Sequence, residues 1–171
     1  EGEARLVLTE RADRGGHHSG EVSFPGGRAE ATDPDLVATA LREAAEEVGL
    51  DVDAAGVRVL GTLAVQWIPV SNFTVTPVVA VAARRPVMVP QESEVAAILE
   101  VPLAAFLPGG DLLWVERQIR EWDLRYAAYP VEGLAVWGMT ARVLGGLGAW
   151  LAREDDAGLR QPDGTTLRLG D

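Results

Sequence analysis

Three glutamates, Glu43, Glu46 and Glu47, stand at i, i+3 and i+4 in the run Leu41-Arg42-Glu43-Ala44-Ala45-Glu46-Glu47-Val48-Gly49-Leu50. On a helix, at about 100° per residue, they fall within a sector of roughly 100°. Like charges at these spacings repel, at a cost of about 0.2–0.5 kcal/mol per pair in an isolated helix. A divalent cation would offset that repulsion. Hard cations such as Mg²⁺ favour carboxylate oxygens and commonly pair them with substrate phosphates. An acidic helix face is ordinarily just solvated. Here a glycine turn, Gly26-Gly27-Arg28, leads into the segment, and Arg42 adjoins the carboxylates. The combination points to an enzyme that handles phosphate through a metal ion.

The elements that must position these residues follow from local pattern. Asp33 or its neighbourhood opens the helix, with Pro34 in its first turn, and Gly49 closes it. Val37, Leu41, Ala44 and Val48 form an apolar face roughly opposite the carboxylates. Upstream, Arg5 to Thr9 reads as a strand, Arg11 to Gly20 as a polar loop, and Glu21 to Phe24 as a brief extended run ended by Pro25-Gly26-Gly27. Downstream, Val57 to Val65 and Phe73 to Ala83 read as Val-rich strands around a turn at Pro69 to Asn72. Pro77 marks an edge or a bulge in the second. Gln91 to Val95 is an acidic connector and Val101 to Leu107 a short apolar element. Leu112 to Ile119 and Leu124 to Ala128 read as a strand pair, the first also compatible with helix. Trp137 to Arg153 is a second helix despite Gly145, Gly146 and Gly148, and 154–171 is a polar tail. Mixed strands and helices without an internal repeat or linker imply one α/β domain over residues 1–171.

The 171 residues suffice for one sizeable core. A formal net charge of −11 argues against a broad nucleic-acid surface. No apolar run suggests a membrane span. The start, Glu1-Gly2-Glu3, lacks the marks of a signal peptide, and without an initial Met the chain leaves an N-terminal extension open. There is no cysteine, which excludes disulfides, zinc–thiolate sites and thiol catalysis and fits a cytoplasmic protein. All 15 Lys and Arg are Arg, a bias of composition or a sign of phosphate recognition.

Gly27 to Leu50 resembles a Nudix box, G-x5-E-x7-R-E-U-x-E-E-x-G-U with U aliphatic. Its second half, Arg42 to Leu50, matches, with Ala44 a small residue at the first U. In the first half Asp33 stands where Glu is expected, and eight residues rather than seven separate it from Arg42. Residues 7–27 are similar to the signature upstream of the box in coenzyme A diphosphatases, L-L-T-x-R-[SA]-x3-R-x3-G-x3-F-P-G-G. The spacing holds throughout, with Val7 for the first Leu and Gly16 for the second Arg. Glu94-Val95, Val101-Pro102-Leu103 and Val136-Trp137-Gly138-Met139-Thr140-Ala141-Arg142 resemble later parts of the same subfamily.

The resemblance implies a Nudix-type α/β/α sandwich with a central mixed sheet. It implies hydrolysis of coenzyme A or its thioesters at the diphosphate, yielding 3′,5′-ADP and 4′-phosphopantetheine or its acyl form. Glu43 and Glu47 would bind Mg²⁺ or Mn²⁺, with Glu46 a further ligand or a water-positioning group. Arg42 would orient a box glutamate or contact phosphate directly. The general base is a box glutamate or a loop one, Glu94 being favoured with Glu92 behind it. Gly26 and Gly27 allow close backbone approach. Arg11, Arg14, His17 and His18, with Gly20, are candidates for holding the phosphates of a small-molecule substrate. Trp67, Trp114, Trp122, Trp137 and Trp150 are expected as core or rim packing. Two rivals are a Nudix diphosphatase for ADP-ribose, NADH or a dinucleotide, and a catalytically silent nucleotide-binding domain.

Overall fold

The structure is a computed structural model that describes residues 3–13, 20–68, 72–119, 122–153, 159–160 and 166–167. In chain order its elements are β1 (Arg5–Arg11), β2 (Val22–Ser23), α1 (Leu36–Val48), α2 (Val52–Ala55), β3 (Val57–Thr62), β4 (Gln66–Ile68), β5 (Phe73–Val75) and β6 (Val78–Ala82). There follow β7 (Val95–Pro102), a 3-10 turn (Leu103–Phe106), β8 (Leu113–Ile119), β9 (Trp122–Val131), β10 (Leu134–Val136), α3 (Gly138–Leu151), β11 (Leu159–Arg160) and β12 (Thr166–Leu167). The chain is an α/β protein that divides into two compact units. One comprises Glu1–Phe24 and Glu92–Ala152, the other Pro25–Gln91 and Arg153–Asp171.

In the first unit β1 lies between β2 and β7, antiparallel to both, with Leu8 opposite Leu99 and Arg5 opposite Pro102. A second antiparallel sheet runs in the order β10-β9-β8. The alternation of β1 and β7 turns Leu8, Leu99 and Val101 into a core with Val22, Phe106, Val131, Val136 and Leu144. Burying side chains of this size stabilises by about 1.5–3 kcal/mol each. The glycines of α3 have a packing role. At Gly148 a side chain would collide with the Phe106 carbonyl, and at Gly145 a β-carbon would lie 2.9 Å from the Tyr129 hydroxyl. Helix propensity is given up there so that α3 can close onto its neighbours.

In the second unit α1 is defined by its ends. Asp35 caps it, accepting from Ala38 N–H at 2.8 Å, and Gly49 ends it in the left-handed conformation, φ 66°. The helix therefore starts at Leu36, after Pro34 rather than around it, because the Asp35 side chain supplies the acceptor for the first turn. Beyond α1, Val89 N–H donates to Val48 O and Gln91 N–H to Glu47 O, so the 89–91 segment runs along the end of α1. β3 pairs with β6 and β4 with β5, both antiparallel.

Several boundaries differ from expectation. The Val57–Val65 run is strand only to Thr62, and its ladder shifts between Val59 and Gly61. The Phe73–Ala83 run is broken at Thr76-Pro77 into β5 and β6, as proline without an N–H permits no continuous ladder. The Leu112–Ile119 run is strand from Leu113 onward. The eight-residue β7 was not expected as one element, since its exposed Ala96 and its Glu100 interrupt the apolar pattern and its end runs into the 3-10 turn.

Candidate active site

Arg42 organises the second unit's polar cluster. Its Nε donates to Asp33 Oδ1 and its Nη2 to Asp33 Oδ2, each at 3.0 Å, a two-pronged pair. Its Nη1 donates to Glu43 Oε1 at 3.1 Å and Glu46 Oε2 at 3.0 Å, and its Nη2 reaches Arg28 O at 3.0 Å. Asp33 is held further by Glu30 N–H and the Thr39 hydroxyl, both 2.9 Å from Oδ2. The hydrogen bonds from Arg42 are the main reason that the Asp33 carboxyl lies well below the usual carboxylate range. The reciprocal bond to Asp33 raises the Arg42 guanidinium further above its ordinary value.

The three helical glutamates occupy different environments. Glu47 is only 7% exposed, and its Oε2 accepts from Gly26 N–H at 3.0 Å. Glu43 has a side chain 15% exposed, that of Glu46 is 58% exposed. The Glu43 carboxylate lies against Gly27 so closely that any β-carbon at that position would strike it. Thus the first glycine of the turn gives Glu47 a donor through its backbone, φ 155°, and the second leaves room for Glu43.

The expected residues fall into two groups. Gly26, Gly27, Arg42, Glu43, Glu46 and Glu47 come together in the second unit, as just described. Arg11, Gly20 and Glu94 belong to the first. There Gly20 N–H donates to Arg11 O at 3.1 Å, Ala12 N–H donates to Glu94 O at 2.9 Å, and Arg11 is opposite Val95 in the β1–β7 ladder. Glu94 and Glu92 are exposed, as is Arg11. Arg14, His17 and His18 lie outside the described residues. Asp33 was absent from the expected site although it is the principal partner of Arg42. The signal was its place six residues after Gly27, where the box pattern has a carboxylate. The tryptophans do not pack as expected throughout. Trp67 is 56% and Trp114 63% exposed, the latter beneath the Arg125 guanidinium.

Glu43, Glu46 and Glu47 supply hard oxygen donors, the kind that Mg²⁺ and Mn²⁺ favour. Among the described residues no three acidic side chains already surround a common point. Arg42 engages one oxygen each of Glu43 and Glu46, and the space that Gly27 leaves is filled by the Glu43 carboxylate. In donor type the residues fit a divalent cation.

A glycine turn packed against carboxylates on a capped helix and joined to them through Arg42 is the arrangement that the resemblance to a Nudix box implies, a box of diphosphate-cleaving hydrolases. The chain belongs to the Nudix family, the NUDIX domain model matching residues 1–122. It is 37% identical over 147 residues to the "Uncharacterized Nudix hydrolase NudL" of Yersinia enterocolitica, covering 83% of this chain and 71% of that protein. To the protein of the same name from Salmonella paratyphi B it is 40% identical over 144 residues, 81% and 71% of the two chains. The chain is accordingly a Nudix hydrolase acting on a small-molecule substrate, in a family that uses divalent cations such as Mg²⁺ or Mn²⁺. Among the described residues no helix is long and apolar enough to cross a membrane.

Proposed function

We propose that this Nudix hydrolase, a single catalytic domain over its 171 residues, cleaves the diphosphate of coenzyme A or its thioesters in the cytoplasm. The products are 3′,5′-ADP and 4′-phosphopantetheine or its acyl form. The observation that carries the diphosphatase reading is the cluster of Glu43, Glu46 and Glu47 tied to Arg42 and set against Gly26 and Gly27. The coenzyme A assignment is supported by the spacing of residues 7–27, which is similar to the coenzyme A diphosphatase signature.

Glu43, Glu46 and Glu47 would hold Mg²⁺ or Mn²⁺. A cation so bound neutralises phosphate oxygens and lowers the pKa of water. Arg42 fixes the orientations of Glu43 and Glu46 through Nη1 and is itself fixed by Asp33. Gly26 N–H fixes Glu47. The proton of the attacking water passes to Glu46, Glu47 or Glu94, and pre-set orientation of the box carboxylates spares the reaction the cost of arranging them. Arg11, His17 and Gly20 would meet the phosphates on the substrate side.

Incubation with coenzyme A and Mg²⁺ or Mn²⁺ is expected to release 3′,5′-ADP, detected by chromatography. Efficient cleavage of ADP-ribose or NADH with none of coenzyme A would refute the substrate assignment. Glu47→Gln is expected to lower kcat by about 100-fold or more, since it removes a charged ligand. Its amide oxygen still accepts from Gly26 N–H, so the melting temperature should stay close to wild type. Unchanged turnover would refute the metal role.

A further inference from the structure

Arg28 directly follows the glycine turn and is exposed. Its carbonyl is held by Arg42 Nη2 at 3.0 Å. Its guanidinium lies over the ring of Phe73, 4.6 Å from the centroid, and Phe73 is itself 45% exposed on β5. Among the described residues no carboxylate pairs with Arg28, although the chain has 26 acidic residues for its 15 arginines. Ion pairing therefore does not explain where this cation sits. Stacking on an aromatic ring orients a guanidinium and leaves its five in-plane N–H donors directed along the edge. Such an edge matches the two-oxygen face of a phosphate.

We propose that Arg28 is a substrate-binding residue that takes a phosphate group of the nucleotide substrate, and that Phe73 is a positioning residue that presents it. The proposal rests on the diphosphatase reading above. Its backbone ties Arg28 to the same arginine that orients Glu43 and Glu46. The phosphate is either the scissile diphosphate or the 3′-phosphate of the adenosine. Both offer the same chemistry, and coenzyme A and its 3′-dephospho form separate them.

Arg28→Ala is expected to lower kcat/KM by roughly 10- to 100-fold, the worth of a charge-assisted hydrogen bond, mainly through KM. Phe73→Leu should raise KM several-fold and Phe73→Tyr should restore it. A purely structural ring would instead show its loss in melting temperature. In a Glu47→Gln background the dissociation constant of coenzyme A in Mg²⁺, measured by calorimetry, should rise by the same factor on adding Arg28→Ala. Loss with coenzyme A alone assigns the 3′-phosphate, and equal loss with both substrates assigns the diphosphate. If ADP-ribose proves to be the substrate, the same variants are assayed on it, and a raised KM upholds Arg28 while the coenzyme A reading fails. An unchanged KM for Arg28→Ala on whichever substrate is cleaved overturns the proposal.

Discussion

At the residue scale the irregular half of the box is reconciled by one pair. Asp is a methylene shorter than Glu, about 1.5 Å less reach. Yet Asp33 meets Arg42 with both oxygens at 3.0 Å. The extra residue between them gives the backbone slack to bring the shorter side chain close, while Thr39 and Glu30 N–H hold the carboxylate in place. Asp33→Glu is therefore expected to lose activity, about 10-fold, because the longer side chain overshoots a loop fitted to Asp. Deleting Pro34 together with Asp33→Glu should recover part of it, and a double variant worse than the single one would sink this account. The pair also sets an acid response. The Asp33 carboxyl is depressed below its ordinary 3.8, mainly by its hydrogen bonds from Arg42, so it binds protons more readily in the unfolded chain. Its contribution to stability is fully present above the unfolded pKa and is lost as pH falls through the lower folded value. Denaturant unfolding should thus show wild type more stable than Asp33→Asn at pH 6, with the gap narrowing only below about pH 3.9. A gap that already closes at pH 5 would contradict the pairing.

At the element scale α1 was the most legible part of the chain. Its apolar spacing, its glycine stop and its carboxylates were all visible locally, and only its start moved, because a cap is set by a single side-chain hydrogen bond. β7 was illegible for the opposite reason. Its identity comes from seven registered partners on β1, distant in sequence, rather than from its own alternation. The roles of Gly145 and Gly148 were equally hidden, since each answers to an atom on another element. Gly27 combines both cases. Its turn could be read from sequence, but its contact with Glu43 could not. Gly27→Ala places a methyl group against the Glu43 carboxylate. The expected outcome is a fall in kcat of about 10-fold or more with a rise in the Mg²⁺ needed for half-maximal rate, since misplacing a reacting group by an ångström is costly. Circular dichroism should be unchanged, because α1 keeps its caps. Wild-type metal dependence in this variant would show that Glu43 simply swings aside.

At the scale of the whole molecule, charge was readable from composition and its distribution was not. The net charge of −11 comes from acidic residues spread along the chain, while Arg42 gathers Asp33, Glu43 and Glu46 around one cation. These two facts separate on acidification. The sequence isoelectric point is about 4.6, where mutual repulsion between molecules vanishes. Asp33 at that pH remains ionised, because its pairing with Arg42 holds it below 3.8. Solubility should therefore fail before this contribution to the fold does. Light scattering at low ionic strength is expected to peak near pH 4.6, with native circular dichroism retained in the supernatant. Returning the suspension to pH 7 should then recover active enzyme, as the precipitate consists of folded molecules. If the recovered material is inactive, or if the circular dichroism signal collapses before scattering rises, acid unfolds the chain before the loss of net charge brings it out of solution.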